Sequence, residues 1–334
     1  MSKERNYNID LAKTLAMVLV VMQHAWSMLD LDSPELGLVC SAYRSITTVG
    51  VPLFVFLSGA LLLPRQTGSL KDFYKKRLVR LLVPFVLLGA IAYLLSLLSG
   101  AYTWWDGTWQ TAIVQFVPKL LENNINIFHW YVHMLLILYI LTPLLQRFVQ
   151  SISTREYEFI LLCWGILMVI QQYYPDMYVM NYLSPPLIKY IGVFLAGNYI
   201  TQYRVGNRNY LYIGIVSAAT IYVLNVLTDC AIYLGVPLMA IALGMICMNL
   251  PNDKLRSLRS LPLLVNTSRY SYTIYLLHVI LIRLIYNLSA SYYPTNIIPY
   301  CPILITIVVM SLFYIGCRLY DKTKWLPNFI IGIG

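Results

Sequence analysis

Residues 9–29 read IDLAKTLAMVLVVMQHAWSML, an apolar run of full membrane length that carries Asp10, Lys13 and His24. Ionisable groups inside a membrane segment are costly, so by default they face a protein interior or a wet cavity and mark a functional path. Lys13 and His24 are eleven residues apart. At 3.6 residues per turn this puts them within about 20° of one helix face, separated by roughly 16 Å of rise. A basic group and a histidine therefore share one stripe of the first helix. Asp10 lies fourteen residues before His24, roughly 21 Å away along the axis, too far to orient the imidazole. It is placed instead to pair with a basic group near Lys13.

The rest of the chain extends the same pattern. Of 334 residues, 59% are hydrophobic and 11% charged, and the mean hydropathy is +0.66, far from the balance of a soluble globular protein. Apolar runs near the length that a bilayer core requires, roughly 20 residues, recur at 9–29, 43–63, 80–99, 129–147, 158–174, 186–203, 210–227, 232–249, 270–288 and 299–317. The expected fold is an all-α polytopic membrane protein of about ten transmembrane helices. It forms one domain over 1–334, with no room for a separate soluble one.

A formal net charge of +10 raises a polyanionic partner such as nucleic acid, but its distribution gives a simpler account. With the N-terminus in the cytoplasm, only Arg44, Lys119, Lys189 and Arg283 fall on the outer side, and the other twenty of the 24 lysines and arginines fall inside. That asymmetry is the positive-inside pattern; no nucleic-acid partner is expected, and both termini are expected in the cytoplasm. The first apolar run is full length and lacks a small-residue cleavage site, so it reads as an anchor rather than a removed signal. The six cysteines are scattered without CxxC spacing and read as buried thiols.

Two connections exceed a simple turn. Residues 100–128 hold Trp104, Trp105 and Trp109 followed by TAIVQFVPKLLENN, a candidate interfacial helix whose tryptophans read as an aromatic belt in preference to a sugar-stacking surface. The inner loop 64–79 contains SLKDFYKKRLVR. Taken alone it reads as a topology signal against lipid headgroups.

The chain has four histidines, His24, His129, His133 and His278. His129 and His133 share a face at the outer start of the fourth span, but the rest of a helical metal signature is missing and no metal is expected. With Trp130 they read as polar and aromatic groups at an acceptor entrance. His24, deep in its span, is either a structural histidine satisfied by another helix or a catalytic one. A buried histidine held neutral suits a general base. In RYSYTIYLLHVIL the spacing of Ser271, Tyr275 and His278 puts all three on one face, a lined cavity. In GVPLFVFLSGALLL, Ser58 and Gly59 allow close helix approach.

These features together resemble the bacterial acyltransferase family 3 membrane proteins, which O-acylate cell-surface sugars, and the resemblance covers nearly the whole chain. Lys13 and His24 match the family's first-span motif of a basic residue, ten intervening residues and a histidine. Arginine is commoner at the first position, so Lys13 keeps the charge but loses the planar bidentate fork. GVPLFVFLSG, FYKKRLVRLLVP, HWYVHMLLILYILTPLL and SYTIYLLH resemble further family segments, in the family's order.

The resemblance implies a bacterial inner-membrane enzyme that uses cytoplasmic acyl-coenzyme A, most often acetyl, as donor substrate. It implies no tightly bound cofactor, and a saccharide or glycolipid hydroxyl as acceptor. Lys13, Lys76, Arg77 and Arg80 would meet the coenzyme A phosphates. His24 would act as general base or take the acyl group itself. Ser58, Ser271, Tyr275 and His278 would line the pocket or supply oxyanion donors. A transporter or flippase is the rival class, but neither inverted repeats nor paired broken helices are visible. The sequence sets no oligomeric state.

Overall fold

A computed structural model describes residues 5–27, 37–66, 68–98, 107–122, 125, 130–174, 185–228, 234–289, 301–324 and 327–328. Trp104, Trp105, His129 and Cys230 lie outside the described residues. Those described form thirteen helices and no strand: α1 (Tyr7–Ser27), α2 (Gly37–Thr47), α3 (Gly50–Leu62), α4 (Leu70–Leu98), α5 (Trp109–Leu121), α6 (Trp130–Ser151), α7 (Thr154–Tyr173), α8 (Pro185–Tyr203), α9 (Arg208–Thr228), α10 (Val236–Asn249), α11 (Asn252–Arg256), α12 (Leu261–Ser289) and α13 (Cys301–Thr323).

Among the described residues, seven segments are long and apolar enough to cross a membrane: α1, the α2–α3 pair, α4, α6, α9, α12 and α13. The other three expected spans coincide with α7, α8 and the shorter apolar α10. An outward apolar surface befits this class. Along α9, Ile213, Val216, Val223 and Leu227 are exposed, as hydrocarbon-facing positions must be, while backbone polar groups are satisfied within each helix.

Three boundaries depart from the expected ones. The span 43–63 is two helices, interrupted at Thr48 and Val49 and counted as one crossing. The basic stretch expected as a loop is helical from Leu70, because no breaker stands between Leu70 and Pro84. Helical continuation fixes which of its cations share a face. Likewise α12 begins nine residues before the expected span. The helix expected in the outer connection does form: Thr108 caps α5 by accepting from the Thr111 N–H at 3.4 Å, and Trp109, Ile113, Val117 and Leu121 make an exposed apolar stripe at i, i+4 spacing.

Helix α1 is the hub, packed against α2, α3, α10, α11, α12 and α13. Helix α3 connects it to the rest by packing on α6, α8 and α10 as well. The α3–α8 contact is backbone on backbone and reciprocal. A Cβ added at Gly59 would stand 1.8 Å from the Phe194 carbonyl oxygen, and one at Gly197 would stand 2.0 Å from that of Phe56. Small residues at such crossings let dispersion contacts hold helices together where lipid offers no hydrophobic drive. Of the described cysteines, Cys247, Cys301 and Cys317 are buried thiols, whereas Cys40 and Cys163 are half-buried.

The α3–α8 crossing yields a prediction with a built-in control. Alanine normally stabilises an interior helix position relative to glycine by roughly 0.5–1 kcal/mol, and Gly165 on α7 faces open space. Gly165→Ala is expected to leave the melting temperature in detergent unchanged or slightly raised. Gly59→Ala is expected to lower stability by about 1–3 kcal/mol, read from the same thermal melts.

Candidate active site

Two cavities penetrate the bundle, one toward each end of α1. The larger, about 590 Å³, is built from one stripe of each of five helices. Helix α1 gives Asp10 and Lys13, three apart, with Arg5 just before the helix. Helix α3 gives Phe54, Ser58 and Leu61, with Arg65 just beyond its end. Helix α4 gives Arg77, Arg80 and Leu81; α6 gives Tyr131, Leu135 and Tyr139; α12 gives Ser268, Arg269, Ser271, Tyr272 and Tyr275. Each set follows the three- and four-residue spacing of a helix face.

Six cations and one carboxylate line this cavity. Arg5 donates from two nitrogens to the two oxygens of Asp10, at 2.6 and 3.0 Å. That bond holds the guanidinium more firmly charged, raising its pKa. Arg269 pairs with Asp321 at 3.0 Å, and Tyr270 donates to the same carboxylate at 2.7 Å. Lys13, Arg65, Arg77 and Arg80 have no carboxylate partner among the described residues. Four such charges in a partly closed cavity make a strong field for a polyanion. Asp10 thus takes the partner its position suggested, and it is Arg5.

The smaller cavity, about 280 Å³, lies at the other end of α1 and is lined by Val20, Gln23 and His24. The end of α2 adds Arg44 and Thr47, followed by Thr48; the start of α3 adds Val51, α6 adds Trp130, α8 adds Lys189 and Tyr190, and α10 adds Val236. Trp130 and Tyr190 stand with ring centroids 5.7 Å apart, and the Lys189 ammonium lies 5.6 Å from the Tyr190 centroid, within cation–π range. Gln23 and Trp26 both bond the Thr47 hydroxyl, tying α1 to α2 along the cavity wall. Aromatic faces among amide, hydroxyl and cationic groups are the surface chemistry of a polar, hydroxyl-rich ligand.

Between the cavities stands a file of rings. Tyr131 meets Tyr275 at 5.2 Å between centroids, Tyr275 meets His278 at 5.9 Å, and His278 meets His24 at 5.1 Å. Tyr131 and Tyr275 face the larger cavity and His24 the smaller. His278, 1% exposed, lines neither and touches both neighbours.

Of the expected site residues, Lys13, Ser58, Arg77, Arg80, Ser271 and Tyr275 come together in the larger cavity, and His24 and Trp130 in the smaller. Lys76 does not join them. It is exposed on the other side of α4, one residue and hence about 100° away from Arg77. His133 stands edge-on to Phe85 at 5.5 Å and lines neither cavity; His129 lies outside the described residues. The Ser58 hydroxyl donates to the Phe54 carbonyl at 2.9 Å. Gly59 lines neither cavity, being consumed by the α3–α8 crossing. Among the described residues no group of three His, Cys, Asp or Glu side chains gathers as a metal site.

Sequence reading missed Arg5, Arg65 and Arg269, and the tyrosines Tyr131, Tyr139 and Tyr272. The tyrosines left a signal: Tyr131, Leu135 and Tyr139 repeat every four residues on α6, and Tyr272 follows Ser271. The distant cations left none beyond their charge.

A family model described as an acyltransferase domain, acyltransferase 3, matches residues 6–317, nearly the whole chain. No curated protein and no solved structure matches the chain.

The split between Arg77 and Lys76 can be tested with pyrophosphate as a simple polyanion. A ligand at a hundred times its Kd raises stability by about 2.7 kcal/mol. Pyrophosphate is expected to raise the melting temperature of wild type and of Lys76→Glu alike. The double change Arg77→Glu with Arg80→Glu is expected to abolish that rise.

Proposed function

We propose that this chain, which belongs to the acyltransferase 3 family, transfers an acyl group, with acetyl the first candidate, from coenzyme A in the larger cavity to a saccharide hydroxyl in the smaller one. The observation that supports the reading is a pair of chemically unlike cavities joined by one file of rings that ends in His24. The larger has the charge for a donor with several phosphate groups: Lys13, Arg65, Arg77 and Arg80 line it, and guanidinium forks suit phosphate oxygens. The smaller has the aromatic and hydroxyl surface for a sugar.

On this reading the donor enters phosphates last, its pantetheine arm running past Tyr272 and Tyr275 toward the ring file, so that the thioester arrives beside the histidines. The acceptor hydroxyl approaches from the Trp130 side. His24 takes the hydroxyl proton as oxygen attacks the thioester carbonyl; the C–O bond forms, the C–S bond breaks, and coenzyme A leaves as its thiol. An acyl-histidine intermediate is the alternative route through the same residue. Tyr275 and Tyr131, at the inner end of the donor cavity, are the hydroxyls placed to donate to the developing oxyanion. The positive-inside distribution supports a donor cavity on the cytoplasmic side and an acceptor on the outer side, and on this reading the membrane is the bacterial inner one.

The decisive measurement incubates purified protein with labelled acetyl-coenzyme A and bacterial surface polysaccharide. Wild type is expected to label the sugar. His24→Ala is expected to lower kcat by about 10²–10⁴-fold with coenzyme A binding retained. Full transfer by His24→Ala would remove His24 from the reaction.

A further inference from the structure

We infer that His278 is the second half of a proton-handling histidine pair and receives the proton that His24 takes from the acceptor. The inference rests on the acyl-transfer reading above and assigns a role that reading leaves open. His278 and His24 come from positions 254 residues apart in sequence, on α12 and α1, which pack along one another.

The tautomer of His278 follows from its surroundings. Its Nδ1 lies 2.6 Å from the Tyr275 carbonyl oxygen and 3.1 Å from that of Ile274. A carbonyl only accepts, so Nδ1 carries the hydrogen and donates it. In the neutral ring the lone pair is then on Nε2, the nitrogen that can take a proton. Accepting one creates an imidazolium whose Nδ1–H already points at carbonyl oxygens, and hydrogen bonds to a charged donor are shorter and stronger than neutral ones. The site is therefore shaped for a cation that exists only transiently.

The order of the rings supplies the route. The His24 ring is 5.1 Å from that of His278 between centroids, so the two imidazoles are in contact, and the proposed transfer needs a ring rotation that brings a His24 nitrogen within hydrogen-bond reach of Nε2. On the far side His278 meets Tyr275 at 5.9 Å, and Tyr275 faces the donor cavity. Acyl transfer releases a proton on the acceptor side and consumes one at the coenzyme A sulfur on the donor side. The acceptor O–H breaks, its proton passes to His24 and then to Nε2 of His278, and the coenzyme A thiolate takes it back as the thiol. No net proton is gained or lost, and no other co-reactant is required.

The test uses His278→Asn, because the introduced side-chain amide can occupy the place of Nδ1. This variant keeps a donor for the Ile274 and Tyr275 carbonyls and deletes Nε2. It is expected to fold and to bind coenzyme A with a Kd within about twofold of wild type. Its kcat for acetyl transfer should nevertheless fall about 100-fold, with KM for both substrates little changed. His278→Ala, which removes both nitrogens, should be no faster. A kcat for His278→Asn close to wild type would mean that His278 only fastens its own helix, and would overturn the pair. A wild-type protein that labels no acceptor would overturn the acyl-transfer reading and the pair together.

Discussion

The bundle is arranged around the cost of leaving Asp10, Lys13 and His24 against hydrocarbon. Each would be expensive on a lipid-facing surface, so α1 cannot lie at the periphery, and it is enclosed by six other helices. Enclosure alone does not solve the problem, because a buried charge still needs partners or water. Asp10 obtains a bidentate arginine, and Lys13 obtains a wet cavity. His24 obtains a second, smaller cavity and a neighbouring imidazole. The positions of α3, α6, α8 and α12 around α1 follow from supplying those three environments. The close α3–α8 crossing makes the required approach of helices possible.

The two cavities are unlike because they take opposite ends of α1 and α3 and otherwise draw largely on different helices. The Lys13 end of α1 meets the start of α4 and the end of α3, where basic residues collect. The His24 end meets the starts of α6, α8 and α10, where aromatic residues and hydroxyls collect. A membrane segment near a basic boundary therefore gathers cations around a cavity with little further specialisation. What must be added is direction. Arg77 and Arg80 point inward and Lys76 outward only because the helix of α4 runs unbroken through them.

Much of this is legible in the chain. The shared stripe of Lys13 and His24 follows from 3.6 periodicity, as does the grouping of Ser271, Tyr275 and His278. The membrane class follows from composition, and the family match agrees with the motif order. Less legible is whatever depends on where one helix meets another. Lys76 sits in the same basic run as Arg77, and only the helical phase separates them. Arg65 and Arg269 join Lys13 from positions far along the chain, and no local pattern marks that meeting. Gly59 reads as a residue that allows close helix approach, but what it meets is unknown until α8 is placed against it. The partner of His24 is the clearest case: His278 is visible as a polar residue, but its pairing with α1 is a tertiary fact.

The ring file between the cavities adds a constraint on any chemistry performed there. Tyr275 and His278 are 3% and 1% exposed, so the layer joining the two cavities is closely packed and leaves little room for water. On the acyl-transfer reading, water there would compete with the acceptor hydroxyl for the thioester, and it would open a polar path through the membrane. A dry layer avoids both and strengthens each remaining electrostatic contact. It also isolates the proton, because a hydroxyl proton removed inside a dry layer has no solvent to accept it. On that reading the layer must itself hold the proton until the leaving sulfur takes it. A lone imidazole facing only the acceptor side would have no route to the donor side. On the proposed reading, two imidazoles in contact, the inner one fastened through Nδ1 to carbonyl oxygens, would carry the proton toward the side where it is consumed.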